Sequence, residues 1–104
     1  MQELPTIQPK DRELTAEETE ALSELARALG HPFRVAIVQF LKDSSACMCG
    51  DIVKVLPIAQ STVSQHLKKL KDSGWIQGEI DGPRVCYCLK PETLEKFKAL
   101  VNKL

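Results

Sequence analysis

The sequence predicts a mainly α-helical domain with one small β-hairpin, and three observations predict it. Apolar residues recur at helical spacing in four stretches of the chain. Two short stretches, 75–80 and 84–89, have the composition of strands and flank a turn with the sequence Asp-Gly-Pro at 81–83. The chain has 104 residues with 43% hydrophobic and 5% aromatic content, so one core built mainly from aliphatic side chains is expected.

The first half of the chain predicts two helices. Thr15 and Glu18 have the spacing of a capping box, which predicts a helix from there to about Leu29. Pro32 suits the first position of a second helix, which we expect to run to about Lys42. The apolar stripes of these helices are Leu22, Leu25, Ala26 and Leu29, then Phe33, Ile37, Phe40 and Leu41. Residues 1–14 lack such periodicity and are predicted to be a flexible tail before a domain at 15–104.

The second half predicts a short strand at 45–48, a short helix at 50–56 and a third helix from about Gln60 to Ser73. The hairpin follows, and Pro91 begins a last helix with the stripe Leu94, Phe97, Val101 and Leu104. The order is therefore helix, helix, strand, helix, helix, hairpin, helix. A short helix, a tight turn and a second helix followed by a hairpin is typical of the winged helix-turn-helix fold.

The third helix is the candidate for reading DNA. Only Val63, Leu67 and Leu70 need face the core, so short hydroxyls, amides and lysines occupy the other side. Such side chains reach base edges and phosphates in a major groove. A solvated helix face would have a similar composition, but the hairpin directly after it favours DNA. The candidate DNA-binding residues are Gln60, Ser61, Thr62, Ser64, Gln65, His66, Lys68, Lys69 and, in the wing, Arg84. For His66, a place at the edge of the core is the alternative to a phosphate contact.

Charge and hydropathy limit the class of protein. The formal net charge is zero, which gives no general support for a nucleic-acid partner, but residues 52–75 carry four lysines and one acid. No run of about 18 apolar residues is present, so no membrane span is expected. The first 20 residues lack the apolar stretch of a secretion signal, so we expect a cytoplasmic protein.

The cysteines form two Cys-x-Cys pairs, Cys47 with Cys49 and Cys86 with Cys88. In extended backbone this spacing places both sulfurs of a pair on one face of the strand. If the short strand pairs with the returning hairpin strand, all four sulfurs would lie close together. Three thiolates would then hold As(III) or Sb(III), four would hold Zn²⁺, or two would form a reversible disulfide. A buried, inert pair is the alternative.

Several motifs resemble the ArsR/SmtB family of metal-responsive repressors. They are ALGHPFR at 28–34, QSTVSQHLKKL at 60–70, GWI at 74–76 and GPRVCY at 82–87. The resemblance covers about residues 20–90. It implies a homodimer built through the first and last helices, which binds operator DNA and leaves it when an inducer binds.

The segment 45–51 is similar to the Cys-Val-Cys-Asp segment of the arsenic-responsive branch of that family. There a third Cys follows the second by three positions, whereas this chain has Ile52. Cys86 or Cys88 would have to supply the third thiolate. The expected function is thus a repressor that senses As(III) or Sb(III) and releases operator DNA.

Two alternatives remain open at this point. One is a repressor of the same fold that senses Zn²⁺ or thiol oxidation, and the other is a protein-interaction module with a structural Cys₄ zinc. An enzyme is not expected, because no Cys has an evident His and carboxylate partner and no phosphate loop or His-Glu-x-x-His pattern is present.

Overall fold

A computed structural model of the chain describes residues 14–44, 47–49, 59–79 and 86–104. Its helices are α1 (Ala16–Ala28), α2 (Pro32–Asp43), α3 (Gln60–Asp72) and α4 (Pro91–Asn102), and its strands are β1 (Cys47–Cys49), β2 (Ile76–Glu79) and β3 (Cys86–Leu89). The predicted order of elements is confirmed within these ranges. The predicted tail at 1–14, apart from Leu14, the predicted helix at 50–56 and the turn at 81–83 lie outside the described residues.

Local side-chain bonds determine where the helices begin and end. The capping box at the start of α1 is formed, since the Thr15 amide donates to Glu18 Oε1 at 3.0 Å and the Glu18 amide donates to Thr15 Oγ1 at 3.1 Å. At the end of α3, Gly74 has φ +88°, and the next amide, of Trp75, donates to the Leu70 carbonyl at 2.9 Å. This is a Schellman motif, which needs the left-handed residue that glycine provides.

The three strands form one antiparallel sheet in the order β1-β3-β2. In β1, Met48 lies opposite Tyr87, with a cysteine pair on either side of it. Gly78 of β2 also lies opposite Tyr87 and has φ +136°. A Cβ at Gly78 would overlap the Cys86 carbonyl oxygen and lie 2.7 Å from the Tyr87 Cα, so β2 approaches β3 this closely only because the residue is glycine.

The core lies between the sheet and the helices. Trp75 is fully buried, and its Nε1 donates to the Leu25 carbonyl at 3.0 Å, which joins the base of the hairpin to α1. The Trp75 ring also packs edge-on against Phe97 of α4, with 5.2 Å between ring centroids. The buried residues are Leu25, Ala28, Ile37, Val38, Leu41, Val63, Leu67, Leu70, Trp75, Ile76, Tyr87, Leu89 and Leu100.

The apolar stripe predicted for α4 divides in the structure. Leu94 and Phe97 pack against the core as expected, together with Leu100, which the predicted stripe omitted. Val101 is 42% exposed and Leu104 is 84% exposed. Leu104 lies beyond the end of α4 at Asn102, so the helical spacing that predicted its burial does not extend to it, and Val101 lies in the last turn of the helix.

Helices α1 and α4 also meet through an ion pair. Lys103 Nζ lies 2.5 Å from Glu18 Oε2, and this bond holds the pKa of the Glu18 carboxyl below its usual value. No helix among the described residues is long and apolar enough to cross a bilayer.

Candidate functional site

Helix α3 presents one apolar and one polar side, as the sequence predicted. Val63, Leu67 and Leu70 are 2% exposed or less and pack toward α2 and β2. The other side, which we call the polar face, is exposed or half-buried. It consists of Ser61, Thr62, Ser64, Gln65, Lys68 and Lys69. Because the core holds the helix at three positions along its length, this face is presented outward as a rigid surface.

The charge along α3 suits a polyanion. Lys68, Lys69 and Lys71 are exposed, and the only acid in the helix is Asp72 at its last position. No side chain caps the start of the helix at Ala59, and its first turn holds no acid. The first backbone N–H groups therefore add partial positive charge at the end where the hydroxyls lie.

His66 lies away from the polar face, in the joint between α3 and the start of α2. Its ring centroid is 4.4 Å from that of His31 and 5.9 Å from that of Phe33, and the residue is half-buried. Burial lowers the pKa of His66 below its usual 6.5, and the neighbouring charges of His31 and Arg34 lower it further. A neutral, half-buried imidazole is a weak phosphate ligand, so this position favours the edge-of-core alternative.

Two neighbours of His66 have defined roles in the joint. His31 caps α2, since its Nδ1 accepts the Phe33 amide at 3.1 Å. The Arg34 guanidinium lies between Ala28 and His66, with Nε donating to the Ala28 carbonyl at 2.5 Å and Nη1 lying 3.4 Å from His66 Nδ1. The motif at 28–34 contains Arg34, but nothing in its local spacing predicts that its side chain reaches α3, 32 residues further along the chain.

The four cysteines come together, as the predicted pairing of the short strand with the returning strand required. Cys47 lies opposite Cys88 and Cys49 lies opposite Cys86, with a Cα–Cα distance of 4.0 Å in each pair. Both pairs are disulfide-bonded. We call these four residues the cysteine quartet.

The cysteine quartet occupies the solvent side of the sheet. Tyr87 and Leu89 are buried on the other side of β3, while Cys86 and Cys88 are half-buried and Cys47 and Cys49 are exposed. The quartet therefore lies outside the core, on a face of the sheet that is open to small solutes.

The donor set fits a thiophilic ion only when it is reduced. Thiolate ligands favour soft ions and trivalent metalloids, but each disulfide removes two of them. Accordingly, no group of three or more His, Cys, Asp or Glu side chains in the described part of the chain stands ready to hold a metal. Sequence reasoning considered a single disulfide, whereas the structure forms two.

Two of the residues predicted to contact DNA have side chains that the structure does not describe. Arg84, with the rest of the segment 80–85, lies outside the described residues. Gln60 is the first residue of α3, but its side chain is not described.

Known bacterial regulators resemble this chain in sequence. The family described as bacterial regulatory protein, arsR family, matches residues 31–77. The HTH-type transcriptional repressor SmtB of Mycobacterium tuberculosis is 43% identical over 88 residues, which are 84% of this chain and 62% of that protein. The chain thus spans less than two thirds of the length of this relative.

Two further proteins extend the comparison. The HTH-type transcriptional regulator CmtR of Mycobacterium bovis is 36% identical over 84 residues, which cover 80% of this chain and 70% of that protein. The crystal structure of an ArsR family transcriptional regulator superposes with a TM-score of 0.69 at 25% identity, covering 81% of this chain and 86% of that one. These relatives are regulators and not enzymes, in agreement with the expectation from the sequence. The chain belongs to the arsR family of bacterial regulatory proteins and has a winged helix-turn-helix fold.

Proposed function

We propose that this protein is a DNA-binding transcriptional repressor whose cysteine quartet binds As(III) or Sb(III) and thereby releases operator DNA. The observation that carries the proposal is the register of β1 on β3, which gathers four sulfurs on one open face of the sheet. Only the segment 50–58 separates Cys49 from Ala59, the residue before α3. Metalloid binding at the quartet thus takes place at one end of this segment. The proposed DNA-reading helix, α3, begins at its other end.

The DNA-binding half of the proposal rests on the polar face of α3. Hydroxyl and amide groups at its N-terminal end, such as Ser61 and Gln65, suit base edges in the major groove. Lys68 and Lys69, one to two turns later, suit the phosphates on either side. A protein-binding surface would carry more exposed apolar or aromatic side chains than this face does, which argues against the protein-interaction module.

We further propose that the protein acts as a homodimer through α1 and α4, in the cytoplasm where it meets its operator. Within one chain these helices already pack together. Val101, in the last turn of α4, and Leu104, just beyond that helix, remain substantially exposed although they are apolar. A second copy of the chain would cover them.

The sensing half of the proposal uses three of the four thiols. Arsenous acid, As(OH)₃, would react with three thiols to form three As–S bonds and release three molecules of water. Cys47 and Cys49 supply two, and either Cys86 or Cys88 supplies the third, because each lies directly opposite a β1 cysteine. The absent cysteine at Ile52 is thereby replaced from β3. Zn²⁺ held by all four thiolates is the second candidate for the inducer.

The test is a titration of the reduced protein bound to a fluorescent operator fragment taken from its own promoter. We expect As(III) and Sb(III) to lower the fluorescence anisotropy to that of free DNA, with one metalloid bound per chain, and Zn²⁺ to leave it unchanged. Release by Zn²⁺ alone would replace the metalloid with a Cys₄ zinc site. If the reduced protein binds none of the promoter fragments, the repressor proposal is wrong and the protein-interaction module takes its place.

A further inference from the structure

The cysteine quartet consists of two cross-strand pairs. The geometry of the sheet favours disulfide bonds within these two pairs over any other combination of the four cysteines. Directly opposite residues have Cα atoms 4.0 Å apart here. The Cα atoms of diagonal neighbours across two strands are about 7–8 Å apart, and the Cα atoms of residues two apart along one strand are about 6.6 Å apart. A disulfide needs Cβ atoms about 3.5–4.5 Å apart. The structure bonds Cys47 to Cys88 and Cys49 to Cys86, whereas Cys47–Cys49 and Cys47–Cys86 bonds would require backbone movement.

The core is intact with both pairs closed. The sulfurs lie on the solvent side of β1 and β3, while Met48 and Tyr87 pack on the other side. With both disulfides formed, the apolar side of α3 remains buried through Val63, Leu67 and Leu70. The polar face of α3 also remains accessible in this state. The oxidised chain thus retains the surface that would read DNA.

We propose that the cysteine quartet is also an oxidation site, at which a hydroperoxide makes the repressor unresponsive to metalloid while leaving it competent to bind DNA. This inference rests on the proposed function, since it concerns the response of the same four thiols. In the first step a thiolate attacks the peroxide, the O–O bond breaks, and a sulfenic acid forms as water or an alcohol leaves. The opposite thiol then attacks that sulfur, an S–S bond forms, and water leaves. Each pair loses two electrons and reduces one hydroperoxide.

One disulfide is sufficient for the effect. A trigonal As(III) site needs three thiolates, and oxidation of either pair leaves two. The response to metalloid would therefore disappear after the first two-electron step, before the second pair has reacted. Reduction of that disulfide by a thiol restores the site.

The pairing can be determined directly because each strand has a cleavage point between its cysteines. Cyanogen bromide cleaves after Met48, and chymotrypsin cleaves after Tyr87, so the four cysteines separate into four fragments. We expect mass spectrometry of the peroxide-oxidised full chain to find Cys47 linked to Cys88 and Cys49 linked to Cys86. Links within one strand, or equal amounts of all cross-strand links, would overturn the inference.

The functional consequence is measured on the same oxidised sample. Its affinity for operator DNA should lie within about twofold of that of the reduced protein, and As(III) should release none of the DNA until dithiothreitol is added. Loss of DNA binding on oxidation alone would overturn the inference, as would release of DNA from the fully oxidised protein by As(III).

A matched variant separates this inference from the proposed function. Cys88→Ser keeps three thiols and one facing pair, so it should respond to As(III) when reduced and lose that response after one equivalent of hydrogen peroxide. If reduced wild-type protein ignores As(III) altogether, the proposed sensing function fails, and the claim that oxidation removes a metalloid response is overturned with it. If the reduced protein responds and the oxidised protein responds equally, only the oxidation claim fails.

Discussion

His66 Nδ1 lies 3.4 Å from Arg34 Nη1, at the joint where α3 packs on the start of α2. The same imidazole is in ring contact with His31, the residue that caps α2. Helix α3 is therefore held not only by its apolar stripe but also by a half-buried polar contact. That contact requires His66 to be neutral, because a proton on its ring would face the Arg34 guanidinium and the second imidazole.

This environment predicts a pH dependence of stability. The pKa of His66 is lowered in the folded protein, so the unfolded chain binds the proton more readily. The contribution of His66 to the free energy of unfolding should therefore fall as the pH drops below about 6.5, and level off once the pH lies below the folded pKa of His66. His66→Gln should lose less stability than wild type between about pH 7.5 and 5.5, measured by urea unfolding. An equal loss in both proteins would contradict this account of the joint.

The bond from Trp75 Nε1 to the Leu25 carbonyl joins the hairpin to α1 inside the core. Trp75→Phe removes the donor, leaves a buried carbonyl without it, and leaves a small cavity. We expect a loss of about 2–4 kcal/mol in the free energy of unfolding, with the fold retained. Val35→Ala, at a residue that is 49% exposed, is the control and should cost far less. A loss below about 1 kcal/mol for Trp75→Phe would show that the bond does not stabilise the fold as described.

Two glycines with positive φ predict different costs. Gly74→Ala meets no heavy atom within 4 Å, so its cost is that of the left-handed backbone alone, about 1–2 kcal/mol. Gly78→Ala places a Cβ against the Cys86 carbonyl and should separate β2 from β3, at a cost above about 2 kcal/mol. Urea unfolding of the two variants side by side tests the difference. Equal costs would mean that close strand approach is not the reason for the glycine at 78.

The polar face of α3 predicts a salt-dependent contribution from its lysines. Lys68→Ala should weaken binding to operator and to random DNA by a similar factor. It should also reduce the slope of log K against log salt by about 0.9, the value for one phosphate that is no longer neutralised. Lys42→Ala, exposed at the other end of α2, is the matched control and should leave both quantities unchanged. A selective weakening for operator DNA would instead assign base reading to Lys68.

Local patterns determined which parts of this fold could be predicted. The start of α1 follows from Thr15 and Glu18 three residues apart, and the structure forms both bonds of that capping box. The burial of Val63, Leu67 and Leu70 follows from helical spacing. In α4 the same spacing rule admits both Leu100 and Val101, and only packing in the core decides that Leu100 faces inward.

Contacts between residues far apart in the chain could be predicted less well from the sequence. The meeting of Cys47 and Cys88, 41 residues apart, follows from the sequence only if β1 pairs with β3, and the sequence does not choose between a metal site and two disulfides. The environment of His66 depends on His31 and Arg34, which lie at and within another helix, so its spacing in α3 could not distinguish a phosphate contact from a place in the joint.

The claim at the centre of this account is that β1 and β3 together supply three thiolates to one site controlling DNA binding. It is tested most directly by titrating As(III) into reduced Cys86→Ser, Cys88→Ser and the double variant, each bound to the operator fragment. Each single variant keeps three thiols and should release DNA as wild type does, whereas the double variant keeps two and should stay bound at every As(III) concentration that releases wild type. Release from the double variant would contradict the claim, because Cys47 and Cys49 would then sense metalloid without any ligand from β3.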